Sequence, residues 1–214
     1  MHGAVLDIKS FQSQRFRYTY RDLLAKEPHA GAVRFFLDEL YGSRDFQSRD
    51  DQFVRIAGAL QRLLPRATLG TVVALAELHE LTEQLDHAMA ARWMNSGSGL
   101  LDANGYRRIW QSLNRPGERE RQLALVLNLG QDLAAQVTTP GLRLLVRAMH
   151  RPAHAAGLGS IQNFLERGMD AFLALERVDR QARQFLAIIQ TRETALIGAL
   201  TRGTPEESSS LLGT

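Results

Sequence analysis

The sequence predicts an all-α fold: one helical domain of eight or nine helices, bundle-like or orthogonal, over residues 1–202, followed by a flexible polar tail at 203–214. Three observations predict it. Apolar residues recur at i, i+3, i+4 and i+7 along most of the chain, the spacing of one-faced helices. Six prolines and few β-branched runs leave little material for a sheet. Glycine, proline and short polar residues stand where such helices would start and stop.

The first helix is expected from about Leu6 to Lys26. It carries Phe11, Phe16, Tyr18, Tyr20, Leu23 and Leu24 among Arg15, Arg17 and Arg21. A helix laid over the core uses these aromatics structurally; the functional reading is the face of a homodimer or of another protein partner. Next, Val33, Phe36, Leu37, Leu40 and Tyr41 form one stripe, opened near Pro28 and closed by Gly42. Ser48-Arg49-Asp50-Asp51 approximates a capping box before a second stripe of Phe53, Ile56, Ala57, Leu60 and Leu64, stopped by Pro65. The longest helix starts at Thr68 or Gly70 and ends near Met94. Leu75, Leu78, Leu85 and Met89 share a face that Thr82 interrupts, while Glu77, Glu80, Glu83 and Asp86 make a drifting acidic ridge. Asn95 to Gly99 reads as a flexible loop.

In the second half, Asp102 is placed to cap a short helix bearing Tyr106, Ile109, Trp110 and Leu113. A helix from Glu118 to about Thr138, apolar nearly all round between Leu123 and Leu129, is expected to be central. Thr139-Pro140 looks like an N-cap with proline at N1, starting a helix that holds Leu142, Leu145, Val146 and Met149 inside. Ser160 is the expected cap of a helix with Ile161, Phe164, Leu165, Met169, Phe172 and Leu173 on its apolar face. A last helix runs from about Asp179 to Thr201.

One segment carries a resemblance. Phe35-Phe36-Leu37-Asp38-Glu39-Leu40-Tyr41, with weaker echoes in Arg49-Asp50, Ala76-Glu77-Leu78-His79, Ala156-Gly157-Leu158-Gly159 and Phe164-Leu165-Glu166, resembles the uncharacterised bacterial family named for its FFLEELY motif. Asp38 stands where that motif has its first glutamate. The resemblance implies no activity, cofactor or site residue.

Composition narrows the function classes. No run approaches the roughly 18 apolar residues of a membrane span, and Asp7 and Lys9 interrupt the first apolar stretch, against a signal peptide. The absence of cysteine excludes disulfides and thiolate chemistry and fits a cytoplasmic location. The chain carries a net charge of +3, and its only lysines are Lys9 and Lys26, so 24 of its 26 basic residues are arginine. These arginines are dispersed without aromatic interleaving, which argues against a nucleic-acid partner.

Three sets of residues carry the candidate chemistry. His79, Glu83 and His87 lie four apart on the long helix, a spacing that puts imidazole and carboxylate on one face and suits zinc, iron or manganese. Polar residues on the solvent side of a long helix explain the same letters, and the Glu-x-x-His pairs of di-iron bundles do not occur. His150 and His154, also four apart, are placed to flank one ion or a haem, although Pro152 between them and Arg147 and Arg151 beside them favour a basic helix end instead. Gly157, Gly159 and Ser160 precede a helix N-terminus, where backbone N–H groups with Arg147 and Arg151 suit a phosphate-containing ligand. A serine-capped turn explains those residues equally, and the acidic ridge and the Arg143-Arg147-Arg151 stripe are placed to meet each other inside the fold. No catalytic triad spacing or nucleophile elbow occurs. No cofactor is called for. The sequence therefore points first to a non-enzymatic helical interaction or regulatory protein, and second to a helical bundle that binds a metal, haem or phosphate-containing ligand, with an enzymatic role left open.

Overall fold

The computed structural model describes residues 1–39, 66–96, 100–177 and 181–213. Among them are eleven helices and no strand, nine of the helices being seven residues or longer. The capping box at Ser48–Asp51, the stripe from Phe53 to Leu64, Leu40, Tyr41, Gly42 and Asp179 lie outside the described residues.

The N-terminal segment forms α1 (His2–Thr19) and a single turn α2 (Arg21–Leu24), because Tyr20 leaves helical geometry at φ −111°, ψ 19°. Phe16 and Tyr20 are fully buried, so these aromatics face the interior and α1 lies over the core. Helix α3 (His29–Glu39) starts one residue after Pro28. The expected Val33, Phe36 and Leu37 are buried, and Phe35, off that stripe, is buried too because Phe164 packs against it at 5.2 Å.

The long helix α4 (Arg66–Asn95) and the 22-residue α6 (Pro116–Val137) are the central pair. Between them α5 (Ala103–Leu113) is capped by Asp102, whose side chain accepts from the Gly105 N–H at 2.6 Å. Asn114 then takes the left-handed conformation, and Pro116 opens α6 at N1. Gly130 lets α6 approach the later helix α10 (Ala182–Arg202): a Cβ there would stand 2.5 Å from Leu186.

Thr139 does not open the following helix. Its hydroxyl donates to the Ala135 carbonyl and closes α6, while Gly141, at φ 77°, makes the turn into α7 (Leu142–Ala148). Only glycine takes that conformation at little cost. α7 is followed at once by the short α8 (His150–Ala155), then by α9 (Gly159–Arg177), which begins at Gly159, so that Ser160 lies within its first turn rather than at its cap.

The segment expected as a flexible tail is helical. Thr204 and Glu207 form a reciprocal capping box, Pro205 sits at N1, and α11 (Pro205–Leu212) buries Leu212. Thr-Pro-Glu-Glu is a complete helix-start signal, and it outweighs the polar composition.

The buried side chains form two apolar clusters. The larger joins α3, α9, the first half of α4, most of α6 and the start of α10 around Phe36, Phe164, Phe172 and Phe185. The smaller gathers Val5 and Ile8 of α1, Met89 and Trp93 of α4, Tyr106 and Ile109 of α5, Leu196 and Leu200 of α10, and Leu212. Three helices cross from one cluster to the other, and each is polar at the crossing: Gln12 and Arg15 on α1, Thr82 and Asp86 on α4, and Glu193 on α10. Arg119 and Gln122 bring the first turns of α6 to the same level.

Candidate functional site

That polar layer is the most chemically loaded interior among the described residues. Its members lie on the same stripes that carry the apolar clusters. On α1 the inward series runs Val5, Ile8, Gln12, Arg15 and Phe16, and on α10 it runs Ile189, Glu193, Leu196 and Leu200. Helical spacing alone therefore drives the polar groups inward, and each must find a partner there, because an unpaired buried charge costs several kcal/mol.

Most of them do. Arg15 Nη1 reaches Glu193 Oε1 at 2.5 Å, and the Tyr20 hydroxyl donates to the same oxygen at 2.8 Å. Gln12 Nε2 donates to Asp86 Oδ1 at 2.9 Å. Gln122 Nε2 donates to the Thr82 hydroxyl, which donates to the Leu78 carbonyl. Lys9 pairs with Glu83 at the edge of the layer. Asp86 is 1% exposed, and among the described residues its second carboxylate oxygen has no hydrogen-bond partner. Burial holds its carboxyl above the ordinary range, against the opposing pull of the Arg119 charge and the Gln12 hydrogen bond. Burial likewise raises the Tyr106 hydroxyl, again against Arg119.

Arg119 differs from the rest. It is 7% exposed, and its guanidinium lies 4.6 Å from the centre of the Trp110 ring. Nη1 donates to Gln122 Oε1 at 3.1 Å and Nη2 to Met89 Sδ at 3.0 Å. A guanidinium has five N–H donors, and among the described residues none of the three groups that Arg119 meets, Trp110, Gln122 and Met89, is a carboxylate.

Arg119, Arg15, Glu193, Tyr106, Gln12 and Gln122 line a small chamber of about 40 Å³. On the outer side of α6 and α10 lies a larger groove of about 240 Å³, with Leu127, Ala124 and Gly198 on its walls and Glu120 and Arg202 among its polar edges. Leu123 and Ile197 line both, so the groove and the chamber share one wall.

Of the candidate site residues singled out in the sequence, only Glu83 touches the edge of this layer; the others lie elsewhere. His79 is half-buried on α4. Glu83 and His87 do come together, with His87 Nδ1 3.8 Å from Glu83 Oε2, but Lys9 engages the same glutamate. His150 and His154 stack at 4.4 Å on α8; His150 meets Glu166 at 3.0 Å and His154 meets Asn163 at 3.3 Å. Among the described residues no three His, Asp or Glu side chains gather as a metal would need. Arg147 is held by Asp170 and Arg151 is exposed, while Gly157 adopts φ 78° and the His154 ring lies against Gly159. The acidic ridge and the Arg143-Arg147 stripe do not meet. Residues three apart drift around a helix by about a sixth of a turn, so Glu77 faces Arg121 on α6 and Glu83 faces α1, whereas Arg143 and Arg147 share Asp170 on α9.

Of the layer's interior, the sequence marks Thr82 and Asp86, a break in an apolar face and the end of an acidic ridge. Gln12, Arg15, Arg119 and Glu193 are missed, although a polar residue at an i, i+3 or i+4 position of an apolar stripe was there to read in α1 and α10.

No curated protein and no solved structure matches the chain. A family model does, that of a domain of unknown function (DUF8198), over residues 1–207. The chain therefore belongs to the DUF8198 family, whose function is unknown.

Proposed function

We propose that this is a non-enzymatic helical binding protein whose ligand is a small molecule held at the α6–α10 groove and the chamber behind it. One observation carries this reading: Arg119 is buried beside a cavity, and among the described residues no carboxylate is hydrogen-bonded to it. Nearly every other charge at this level is engaged. The Glu193 carboxylate accepts from Arg15 and Tyr20, and Asp86 accepts from Gln12. Carboxylates engaged in this way suit holding a ligand better than transferring its protons. Two apolar walls with a few convergent polar groups are the usual make-up of a small-molecule site.

A second reading rests on a different surface. Leu144 is 75% exposed on α7 and Leu145 is 46% exposed beside it, flanked by Arg143 and Arg147. Such a basic and apolar face suits a protein partner, in keeping with the interaction role expected from the sequence.

Native mass spectrometry of the purified protein, with metal analysis, tests the first reading. The expected result is polypeptide plus a small organic mass and no stoichiometric metal. The Gly198→Leu variant should lose that mass. A Cβ at Gly198 meets nothing within 4 Å and Gly198 lines the groove, so a leucine there starts into open space, and it should leave stability equal or raise it by up to about 1 kcal/mol through helix propensity. Bare polypeptide, or stoichiometric metal, would overturn the reading.

A further inference from the structure

Building on the binding-protein reading, we infer that the ligand is an amphipathic monocarboxylate, its carboxylate against Arg119 in the chamber and its apolar body along the α6–α10 groove. The charge count of the chamber wall points there first. Arg15, Arg119 and Glu193 line it, two guanidiniums against one carboxylate, and Glu193 belongs to Arg15. Asp86 stands behind Gln12 and does not line the cavity.

Donor geometry points the same way. Arg119 spends one N–H on an amide oxygen and one on a thioether, a weak acceptor. The Arg119 guanidinium lies over the Trp110 ring, 4.6 Å from its centre, and a guanidinium is a planar fork that matches a carboxylate with two parallel hydrogen bonds. Asp86 feels the Arg119 charge but does not reach the cavity; there a neutral hydroxyl meets the fork with at most one uncharged bond, and an ammonium would be repelled.

Size fits as well. A cavity of about 40 Å³ has room for about three water molecules, which is the scale of one carboxylate and not of a phosphate ester with its sugar. The body has its place in the adjoining groove, where Leu123, Leu127 and Ile197 supply apolar surface and Ala124 and Gly198 leave room for it. Leu123 and Ile197 line both spaces, so a carboxylate enters the chamber from the groove by displacing these two side chains.

The test uses the full chain and calorimetric titration with acetate, hexanoate, decanoate, decanol and decylamine. Affinity should rise along the carboxylates, and decanol and decylamine should bind at least tenfold more weakly than decanoate. Arg119→Gln should weaken decanoate at least tenfold; Arg119→Lys, which keeps the charge and loses the fork, should give an intermediate loss and serves if the Gln variant does not fold. Gly198→Leu should weaken decanoate by a similar factor with a melting temperature equal to or above that of the parent. If decanol binds as well as decanoate and the Arg119 variants change nothing, the carboxylate inference is wrong while the groove remains a binding site. If no probe binds but the purified protein carries a small mass that Gly198→Leu removes, the inference fails and the binding reading stands. If no probe binds and no mass is carried, both fall. Saturation by acetate alone, unaffected by chain length, would mark an adventitious ion only and would also overturn the inference.

Discussion

Two regions of this molecule use the same letters to opposite effect. In the polar layer, Arg15 meets Glu193 with side chains 8% and 7% exposed. On the α7–α9 surface, Arg143 and Arg147 share Asp170 with side chains between 34% and 50% exposed. The distances are similar, and the second region even has two arginines on one carboxylate. What separates them is water. On the surface, solvent screens the attraction and either charge does nearly as well alone. In the layer each charge has already lost its hydration, so the partner is what makes burial tolerable. Residue type and spacing, which a sequence displays, are therefore poor guides to which ion pair matters.

The largest expected effect breaks the buried side of this comparison. Glu193→Ala removes the carboxylate on which both Arg15 and Tyr20 converge. Removing one partner of a buried pair costs about 3–5 kcal/mol. Chemical denaturation should show a loss of that order, with the melting transition several degrees lower. A change within about 1 kcal/mol, the surface range, would mean that water reaches the layer and that the contrast between the regions is not real.

How far the sequence discloses these regions follows from the same physics. The helices are legible because periodicity is a local property: α3, α4, α6, α9 and α10 all fall where their apolar stripes place them. The layer is less so. Arg119 stands in the run Glu118-Arg119-Glu120-Arg121, which reads as a solvated face, and only the packing of α6 against α4 and α5 turns one arginine of the two inward. Arg15 hides in the same way among Arg17 and Arg21. Conversely, the histidines and glycines of α8 and α9 draw the eye through spacing, and the fold occupies them with Glu166, Asn163 and each other. The α11 helix was fully written in Thr204-Pro205-Glu206-Glu207, and only its polar content argued for a tail.

Two aspartates sharpen the comparison with opposite signs of pH dependence. Burial raises the folded-state pKa of Asp86 above the ordinary 3.8, so the folded state holds its proton more tightly than the unfolded chain. Its contribution to stability is then greatest at low pH and declines as pH rises from about 4 through the folded value. Asp22 is the reverse. The Arg192 fork, both bonds at 2.7 Å, lowers it to about 2, so its contribution is present above about pH 4 and is lost as pH falls toward 2. Denaturation across this range should show wild type losing ground to Asp86→Asn as pH rises. It should also show wild type gaining on Asp22→Asn over the same rise, by no more than about 1 kcal/mol because the Asp22 side chain is half-exposed. Two parallel curves would place both aspartates in the same solvent environment and remove the distinction drawn above.

The smallest effect belongs to the surface cluster. Arg147→Ala deletes one of two guanidiniums on Asp170, and Arg143 remains there at 2.8 Å. Both side chains of the lost pair are half-exposed, so the Coulomb gain is weak, screened by salt, and set against the entropy of holding a long side chain still. The expected change is below about 0.5 kcal/mol and shrinks further as salt is raised. A loss above about 2 kcal/mol would require this pair to be shielded from solvent, by a protein partner or a second copy seated on the exposed Leu144 and Leu145 beside it. Sedimentation of the parent protein and the variant at the same concentration separates those cases, since a shared interface would loosen along with the ion pair.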